Sequence, residues 1–212
     1  MVRIIAVRHG ESEGNLHGTF AGHTDVPLTV RGREQAMLTG QALRDVEFTA
    51  AYASPLRRAF ETGELALAGR GPALCKEAAL LEIDGGEWEG VPFDLLPERF
   101  PTGYALWHDA FGRACPDGGE SVVHLSARVL AFARETERRH TGGTVLFATH
   151  ATPIRMLRTA SLGLPAEEAG QVPWPVNASY SVFEVRDGQI GCVEYSQDAH
   201  LSGMRTTLPG NI

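Results

Sequence analysis

The chain of 212 residues is long enough to bury one substantial core, and its 43% hydrophobic and 21% charged residues are typical of a globular protein. A formal net charge of −7 argues against a general nucleic-acid-binding protein, so an anionic ligand must be attracted by a local cluster of basic side chains. Three widely spaced cysteines, Cys75, Cys115 and Cys192, argue against a disulfide framework and a structural zinc site.

The distribution of apolar residues predicts a single domain over residues 1–212 that does not cross a membrane. No stretch approaches the roughly 20 apolar residues that a membrane-spanning helix needs. The apolar run near the start ends at Arg8 and His9, which is too short for the core of a signal peptide. We therefore expect a cytoplasmic protein.

Short apolar runs alternate with helical stripes through the first half of the chain. The run 4–7 predicts a buried strand, and Thr29 is the predicted N-cap of the first crossover helix. Residues 50–53 form the next predicted strand. The helix that follows is predicted to place Pro55 at its first position, where a proline fits best. A weaker element, a short strand or an extended segment, is predicted at 79–81.

The second half of the chain continues this alternation after an irregular segment. Residues 91–119 contain four prolines and several aromatic residues without a helical or strand period, which predicts an inserted lid. The remaining predicted elements are a helix at 121–140, a strand at 144–148, a helix at 154–161, and a hairpin of 179–185 with 189–195 at the sheet edge.

Strands that alternate with helices predict a three-layer α/β/α fold with a mainly parallel sheet. Two predicted strands run directly into histidine, since His9 follows the first strand and His150 follows the strand at 144–148. If these strands are neighbours, their carboxyl ends meet at one edge of the sheet. The two imidazoles would then face each other across a small cavity.

The tripeptide Arg8-His9-Gly10 combines three residue types that suit a phosphate or carboxylate site. Arg8 offers a guanidinium group for the anion, and His9 can act as nucleophile, acid or base near neutral pH. Gly10 would let the backbone approach a ligand closely. Taken alone, the same tripeptide also fits a surface arginine beside a packed histidine.

A series of ordered segments extends from Arg8 almost to Tyr195. They are the run 8–12 with Asn15, the run 25–29 with Gly32, the run 54–59 with Thr62, the run 81–90, the run 119–121, and Thr149-His150 with Arg155. Together they resemble the motifs of the histidine phosphatase superfamily, which includes cofactor-dependent phosphoglycerate mutases and many phosphomonoesterases. An ordered series of this kind is far more specific than any single short motif.

The resemblance implies that His9 attacks phosphorus and forms a phosphohistidine, with its other ring nitrogen held by a backbone carbonyl of the same loop. Arg8 and Arg58 would clamp the phosphoryl oxygens. Arg57 is the competing choice for the second clamp, and its alternative role is that of a solvated helix residue. His150 would stabilise the transition-state charge, and its alternative role is that of a packed core histidine.

The resemblance also implies a general acid, for which Glu82 matches the motif position counted back from Gly90. A carboxyl group can protonate a leaving oxygen near neutral pH when burial or a neighbouring anion favours its protonated form, and an incoming phosphate is such an anion. Asp84, Glu87 and Glu89 are the rival carboxylates.

Three further residues are expected to contact phosphate or substrate: Asn15, the backbone around Gly22, and the amide of Ala151. Asn15 alone fits a turn-stabilising role nearly as well. Ala151 departs from the glycine that this family commonly has after its second histidine, although an alanine still presents its amide. Ala21 stands where the mutases of the superfamily often carry a hydroxyl residue, which favours hydrolysis.

We therefore expect a phosphomonoesterase that hydrolyses a small phosphorylated metabolite without a metal or a cofactor. The alternatives are a phosphoglycerate mutase-type phosphoryl transferase, a non-catalytic phosphate-ester sensor or scaffold, and a metal hydrolase, which the histidine spacing disfavours. An edge hairpin near the C-terminus would allow a homodimer.

Selectivity for the ester is expected to come from the lid. The lid residues that would meet the substrate beyond its phosphate are Arg99, Trp107, His108, Phe111 and Arg113. The aromatic members of this set would equally well fill a small core.

Overall fold

A computed structural model describes residues 1–206. Their strands are β1 (Val2–Arg8), β2 (Ala50–Ala53), β3 (Leu74–Lys76), β4 (Thr144–Thr149), β5 (Tyr180–Arg186) and β6 (Gln189–Gln197). Their α-helices are α1 (Glu13–His17), α2 (Val30–Ala42), α3 (Arg57–Leu67), α4 (Leu96–Arg99), α5 (Pro101–Asp109), α6 (Val122–Arg139) and α7 (Ala151–Ser161). Short 3-10 helices connect several of these elements.

The strands form one sheet in the order β3-β2-β4-β1-β5-β6. The pairs β3 with β2, β2 with β4, and β4 with β1 are parallel, whereas β5 runs antiparallel to both β1 and β6. This arrangement confirms the predicted mainly parallel sheet. It also places β1 and β4 side by side at the centre, so that the loops following both strands open at the same edge.

The two faces of the sheet are covered by different helices because side chains alternate along each strand. On one face Ile4 of β1 belongs to a cluster with residues of α6 and α7, and on the other face Ile5 packs in a cluster with Leu67 of α3 and Leu43, which directly follows α2. Both isoleucines are buried, and each such burial contributes about 1.5–3 kcal/mol. The predicted three-layer α/β/α architecture is therefore confirmed.

The N-terminus of α3 differs from the prediction that Pro55 occupies the first helical position. The helix begins at Arg57, because Leu56 is extended and the carboxylate of Asp25 accepts a hydrogen bond from the Arg57 amide at 2.7 Å. An acceptor from a distant loop thus decides where this helix begins.

The predicted strand at 79–81 is also wrong. Residues Ala78–Leu80 form a 3-10 helix, whose first turn is capped by the Glu77 side chain accepting from the Ala79 amide. The Leu80 carbonyl accepts from the Thr149 hydroxyl at 2.7 Å, which ties this turn to the end of β4. The edge strand of this half of the sheet is instead β3.

The segment 91–119 contains more helix than its prolines suggested. Pro97 and Pro101 lie in the first turns of α4 and α5, where a proline is accepted because its missing N–H would have no helical partner. The lid aromatics Trp107 and Phe111 are buried in a cluster that is continuous with the main core. They therefore bind the lid to the α/β layers beneath it.

The hairpin of β5 and β6 is confirmed, and it turns through Asp187 and Gly188, both with positive φ. No helix within residues 1–206 is long and apolar enough to cross a membrane.

Candidate active site

His9 and His150 meet at the carboxyl ends of β1 and β4. The two strands pair in parallel register up to Arg8 and Thr149, and the two imidazole rings lie with their centroids 5.2 Å apart. Both side chains are buried. The predicted juxtaposition of the two histidines is thus confirmed.

The tautomer of His9 is set by its own loop. Its Nδ1–H donates to the Gly10 carbonyl at 2.7 Å, and because a carbonyl can only accept, Nε2 keeps its lone pair. Burial, followed by the charges of Arg58 and Arg8, lowers the pKa of His9 well below its usual range. At neutral pH the ring is therefore an uncharged base with one nitrogen available as a nucleophile.

The backbone of this loop is fixed from three sides. Asn177 donates through Nδ2 to the His9 carbonyl at 3.1 Å, and the Gly10 amide donates to the Thr62 hydroxyl at 3.1 Å. A Cβ at position 10 would lie 2.2 Å from the Gly32 carbonyl oxygen. Gly10 is thus needed where the loop crosses α2, rather than for the close approach to a ligand that the sequence suggested.

Arg8 and Arg58 supply buried positive charge beside His9. Burial lowers the pKa of each guanidinium to about 10, so both groups stay charged at neutral pH. Arg58 donates to the carbonyls of Ala21 and Gly22, each at 2.7 Å, which fixes its orientation. The Nε of Arg8 is buried and has no hydrogen-bond partner within residues 1–206, as is expected of a donor that serves an anion.

Arg57 lies on the outer side of α3. Its side chain is exposed and forms an ion pair with Asp25 at 3.3 Å. This placement fits the solvated role that the sequence left open for Arg57, while Arg58 lines the cavity beside His9.

His150 is the N-cap of α7 and is completely buried. Its Nε2 shares a hydrogen bond of 2.8 Å with the hydroxyl of Ser54, whereas Nδ1 has no partner among residues 1–206. Burial and the charge of Arg58 lower the pKa of His150 well below its usual range. A neutral ring whose Nε2 accepts from Ser54 would carry its proton on Nδ1, free for an oxygen of the ligand.

The N-terminus of α7 faces the same cavity, which Ala151 and Thr152 line. The first amides of a helix lack helical acceptors and form the positive end of its dipole. An anion placed here would gain hydrogen bonds and a favourable field without any further cation. This end of the cavity is therefore built for an anionic group.

Glu82 lines the cavity next to this helix end. Its Oε1 accepts from the Ile83 amide at 2.8 Å, and Oε2 lies 3.4 Å from the Thr152 amide, so the carboxylate is held close to the anion site. It is half-buried, which leaves it accessible to a leaving group and to water.

The three rival carboxylates have other environments. Glu89 accepts from the amides of His23 and Gly85 at 2.6 and 2.9 Å and thereby organises the loop around Gly22. Asp84 caps the Gly86 amide at 2.9 Å, and Glu87 is exposed. Trp88, which lies in the same stretch of chain as these carboxylates, is fully buried.

The cavity holds about 590 Å³ of empty space, part of which is open to solvent. Its lining residues are Arg8, His9, Ser12, Asn15, Thr19, Phe20, Ala21, Gly22, Arg58, Glu82, Ile83, Phe93, Trp107, Ala151, Thr152 and Trp174. Asn15, Gly22 and Ala151 thus lie where a substrate contact was predicted, and His150 lies behind the lining against the ring of His9.

Asn15 also fulfils its alternative role, because its Oδ1 accepts from the Ser12 amide at 3.1 Å and completes the capping box of α1. The two roles are compatible: the capping bond fixes the side chain at the cavity wall.

The lid contributes a different set of residues from the one predicted. Trp107 lines the cavity, but Arg99, His108 and Arg113 are exposed, and Phe111 packs under the guanidinium of Arg155 instead. Trp107 is the buried residue of α5, because it lies on the inward side of the helix. The next residue, His108, lies on the other side and is exposed to solvent.

Several residues of the site were not predicted from the sequence. They are Ser54, Phe93, Trp174 and Asn177. Trp174 lies between two prolines in an irregular segment before the β5–β6 hairpin. A proline-flanked aromatic residue in a loop was the available signal, since binding residues concentrate in loops on a rigid scaffold.

The chain is similar in sequence and in fold to known proteins. The model of the histidine phosphatase superfamily (branch 1) matches residues 4–198. Phosphoserine phosphatase 1 of Hydrogenobacter thermophilus is 32% identical over 95% of both chains, and a 2,3-bisphosphoglycerate-dependent phosphoglycerate mutase of Mesorhizobium japonicum is 35% identical over 78% of this chain and 84% of the mutase. The solved structure of Bacillus stearothermophilus YhfR superposes with a TM-score of 0.90 at 30% identity and covers 95% of this chain and 100% of its own.

Proposed function

This chain belongs to branch 1 of the histidine phosphatase superfamily, and on that basis we propose that it is a phosphoric monoester hydrolase that acts through a phosphohistidine on His9. The observation that carries the proposal is the anion site formed by His9, Arg8, Arg58 and the N-terminus of α7 around one cavity. The substrate is a small phosphorylated metabolite, in keeping with the phosphatase relative.

In the first half-reaction Nε2 of His9 attacks phosphorus and forms an N–P bond while the bond from phosphorus to the ester oxygen breaks. Glu82 gives its proton to the departing alcohol. The Nδ1–H of His9 stays on the Gly10 carbonyl, which stabilises the positive charge that the ring acquires. Arg8 and Arg58 hold the phosphoryl oxygens throughout the transfer.

In the second half-reaction a water molecule attacks phosphorus, and the N–P bond breaks. Glu82, now ionised, takes a proton from that water, so inorganic phosphate leaves and the starting protonation state returns. His150 donates from Nδ1 to a phosphoryl oxygen in both steps. We propose that no metal is needed, because the two guanidinium groups and the helix dipole supply the positive charge at the transition state.

Phosphoryl transfer to a second hydroxyl is the competing reaction, and the mutase relative favours it. Hydrolysis is favoured by Ala21, which lines the cavity where a hydroxyl residue is common in mutases, and by the solvent-open part of the cavity through which water reaches phosphorus. Incubation with 3-phosphoglycerate distinguishes the two reactions: formation of an isomer would favour the transferase, and absence of any isomer is the expected result.

The test is phosphate release from 4-nitrophenyl phosphate and a panel of metabolite phosphates, with a chelator present throughout. The wild type should turn over, and the His9→Ala variant should lose at least about a thousandfold in kcat. His17→Ala is the matched control, since His17 is exposed on α1. Equal rates for wild type and His9→Ala, or loss of activity in chelator, would overturn the mechanism, while binding of esters without turnover would indicate a sensor.

We also propose a cytoplasmic location for the domain of residues 1–212. Its three cysteines are free thiols, as is usual in a reducing compartment. A homodimer stays a prediction as well: β6 lies at the sheet edge and exposes Val193, and sedimentation of the wild type would show whether copies associate there.

A further inference from the structure

Part of the cavity lining is a surface of aromatic rings, named here the aromatic wall. It consists of Phe20, Phe93, Trp107 and Trp174. The rings of Trp107 and Trp174 are stacked, with their centroids 6.1 Å apart and 23° between their planes. The ring centroid of Phe20 lies 5.7 Å from that of Phe93 and 5.3 Å from that of Trp107. A planar apolar group placed here would find the faces and edges of several rings.

The charges around the cavity are distributed unequally. Within residues 1–206 the arginines and lysines that line it are Arg8 and Arg58, and both belong to the anion site. A carboxylate on the leaving alcohol would therefore lose its hydration against the aromatic wall without gaining a cation of its own. It would also meet the negative charge of Glu82 on its way out.

Trp174 belongs to an irregular segment, residues 172–176, that follows a 3-10 helix ending at Gln171 and is held by hydrogen bonds to several carbonyls. Arg155 donates through Nε to the Val172 carbonyl at 2.6 Å and through a terminal nitrogen to the Gly170 carbonyl at 3.2 Å. The Tyr195 hydroxyl donates to the Pro173 carbonyl at 2.6 Å. These bonds hold the backbone that precedes Trp174, and on its other side Arg8 donates to the Pro175 carbonyl at 2.5 Å.

Arg155 also supports the indole ring directly. Its guanidinium carbon lies 4.1 Å from the ring centroid of Trp174 and 4.1 Å from that of Phe111, two rings whose centroids are 4.9 Å apart with 76° between their planes, so the cation lies in the corner that the rings form. The side chain is buried, and its pKa of about 10 keeps it charged at neutral pH. Arg155 is outside the cavity lining and acts on it through Trp174.

We propose that the substrate of this phosphatase carries an uncharged, planar apolar leaving group that lies on the aromatic wall, and that Arg155 is the positioning residue that keeps Trp174 in that wall. The proposal rests on the phosphatase function proposed above and names its substrate class. It separates this chain from an enzyme for short phosphorylated acids, in which a second anion must be bound.

The test compares three esters: benzyl phosphate, ethyl phosphate and 4-carboxybenzyl phosphate. The leaving alcohols are of similar acidity. The comparison of benzyl with ethyl phosphate therefore measures the effect of the ring, and the comparison of benzyl with 4-carboxybenzyl phosphate measures the effect of the added charge. We expect kcat/KM of the wild type for benzyl phosphate to exceed that for either of the others by about tenfold or more. A preference for the carboxylated ester, or equal values for benzyl and ethyl phosphate, would overturn the proposal.

Variants then assign the preference to residues. Trp174→Leu and Phe93→Leu should each lower the ratio of benzyl to ethyl kcat/KM by about three- to tenfold. Both side chains are half-buried, so folding is expected to survive, and thermal melts check it. Leu106→Ala, an exposed residue beside Trp107 on α5, is the control whose ratio should equal that of the wild type.

Arg155→Met should lower the same ratio about as much as Trp174→Leu, mainly through a higher KM for benzyl phosphate, and Arg155→Lys should restore part of it through the retained cation. Arg134→Met, which removes an exposed bond to the Gly188 carbonyl, is the matched control. Equal losses for both esters in Arg155→Met would refute the positioning role. Absence of any His9-dependent hydrolysis would refute the phosphatase function itself, so the two failures are distinguishable.

Discussion

Burial of His9 and His150 makes the stability of the fold sensitive to mild acid. Both rings have pKa values well below the usual value of 6.5 because burial and the neighbouring arginines disfavour their cations. The unfolded chain therefore binds more protons than the folded chain at any pH between about 6.5 and the lowered values. The free energy of unfolding must then fall as the pH falls through that window.

The magnitude follows from the protonation of the unfolded state. Between about pH 7 and pH 5, a histidine that stays neutral in the fold and titrates near 6.5 when unfolded removes about 2 kcal/mol of stability. The two together remove up to about 4 kcal/mol, which is a large part of the 5–15 kcal/mol typical of a domain. Stability is regained as the pH is raised, because the two histidines then lose their protons in the unfolded chain while both rings stay neutral in the fold.

The assay is urea unfolding at several pH values, for the wild type, His150→Asn and the control His17→Asn. His150→Asn should show a shallower pH dependence by up to about 2 kcal/mol over this range, whatever its absolute stability. His17 is exposed, so its variant should keep the dependence of the wild type. Identical pH dependences for wild type and His150→Asn would show that His150 is not buried as a neutral base.

Three further outcomes follow from the site. Gly10→Ala should destabilise the fold by about 1–3 kcal/mol in urea unfolding, because its Cβ would lie 2.2 Å from the Gly32 carbonyl oxygen, and unchanged stability would contradict that crossing. Glu82→Gln should lower kcat for ethyl phosphate by about 10²–10⁴-fold and much less for 4-nitrophenyl phosphate, whose leaving group needs no proton; equal losses would exclude the acid role. Arg58→Lys should lower kcat by about 10²-fold in steady-state assays, because an ammonium group cannot hold two carbonyls and a phosphoryl oxygen in the same fork, and wild-type kcat would contradict the clamp.

The order of elements and the meeting of two histidines could be predicted from the sequence. Apolar runs of four to six residues indicate buried strands, because the side chains of such strands are covered on one face of the sheet or on both. These patterns involve only residues that are neighbours along the chain. Parallel strands then bring their carboxyl ends to one edge by topology alone, which placed His9 and His150 together. The carbonyl that holds Nδ1 of His9 also lies in the adjacent residue, so it too was within reach of sequence reasoning.

Contacts between distant segments decided the rest. The hydrogen bond between Asp25 and the Arg57 amide shifts the start of α3. Arg57 and Arg58 are adjacent in sequence, but Arg58 lies on the inward side of that helix and Arg57 on its outer side. Glu89 and Glu82 are both carboxylates of one motif, but the backbone amides of His23 and Thr24, in the loop around Gly22, donate to the carboxylate of Glu89.

The aromatic wall shows the same limit most clearly. Its rings come from positions 20, 93, 107 and 174, and no local period relates them. Trp174 reaches the cavity because Arg155 of α7 and Tyr195 of β6 donate hydrogen bonds to the carbonyls of the two residues before it, Val172 and Pro173. The sequence by itself determined the order of the elements and the meeting of the two histidines, since both depend on short-range patterns and strand topology, whereas the surface formed by these rings exists only after long-range packing has brought four separate segments together.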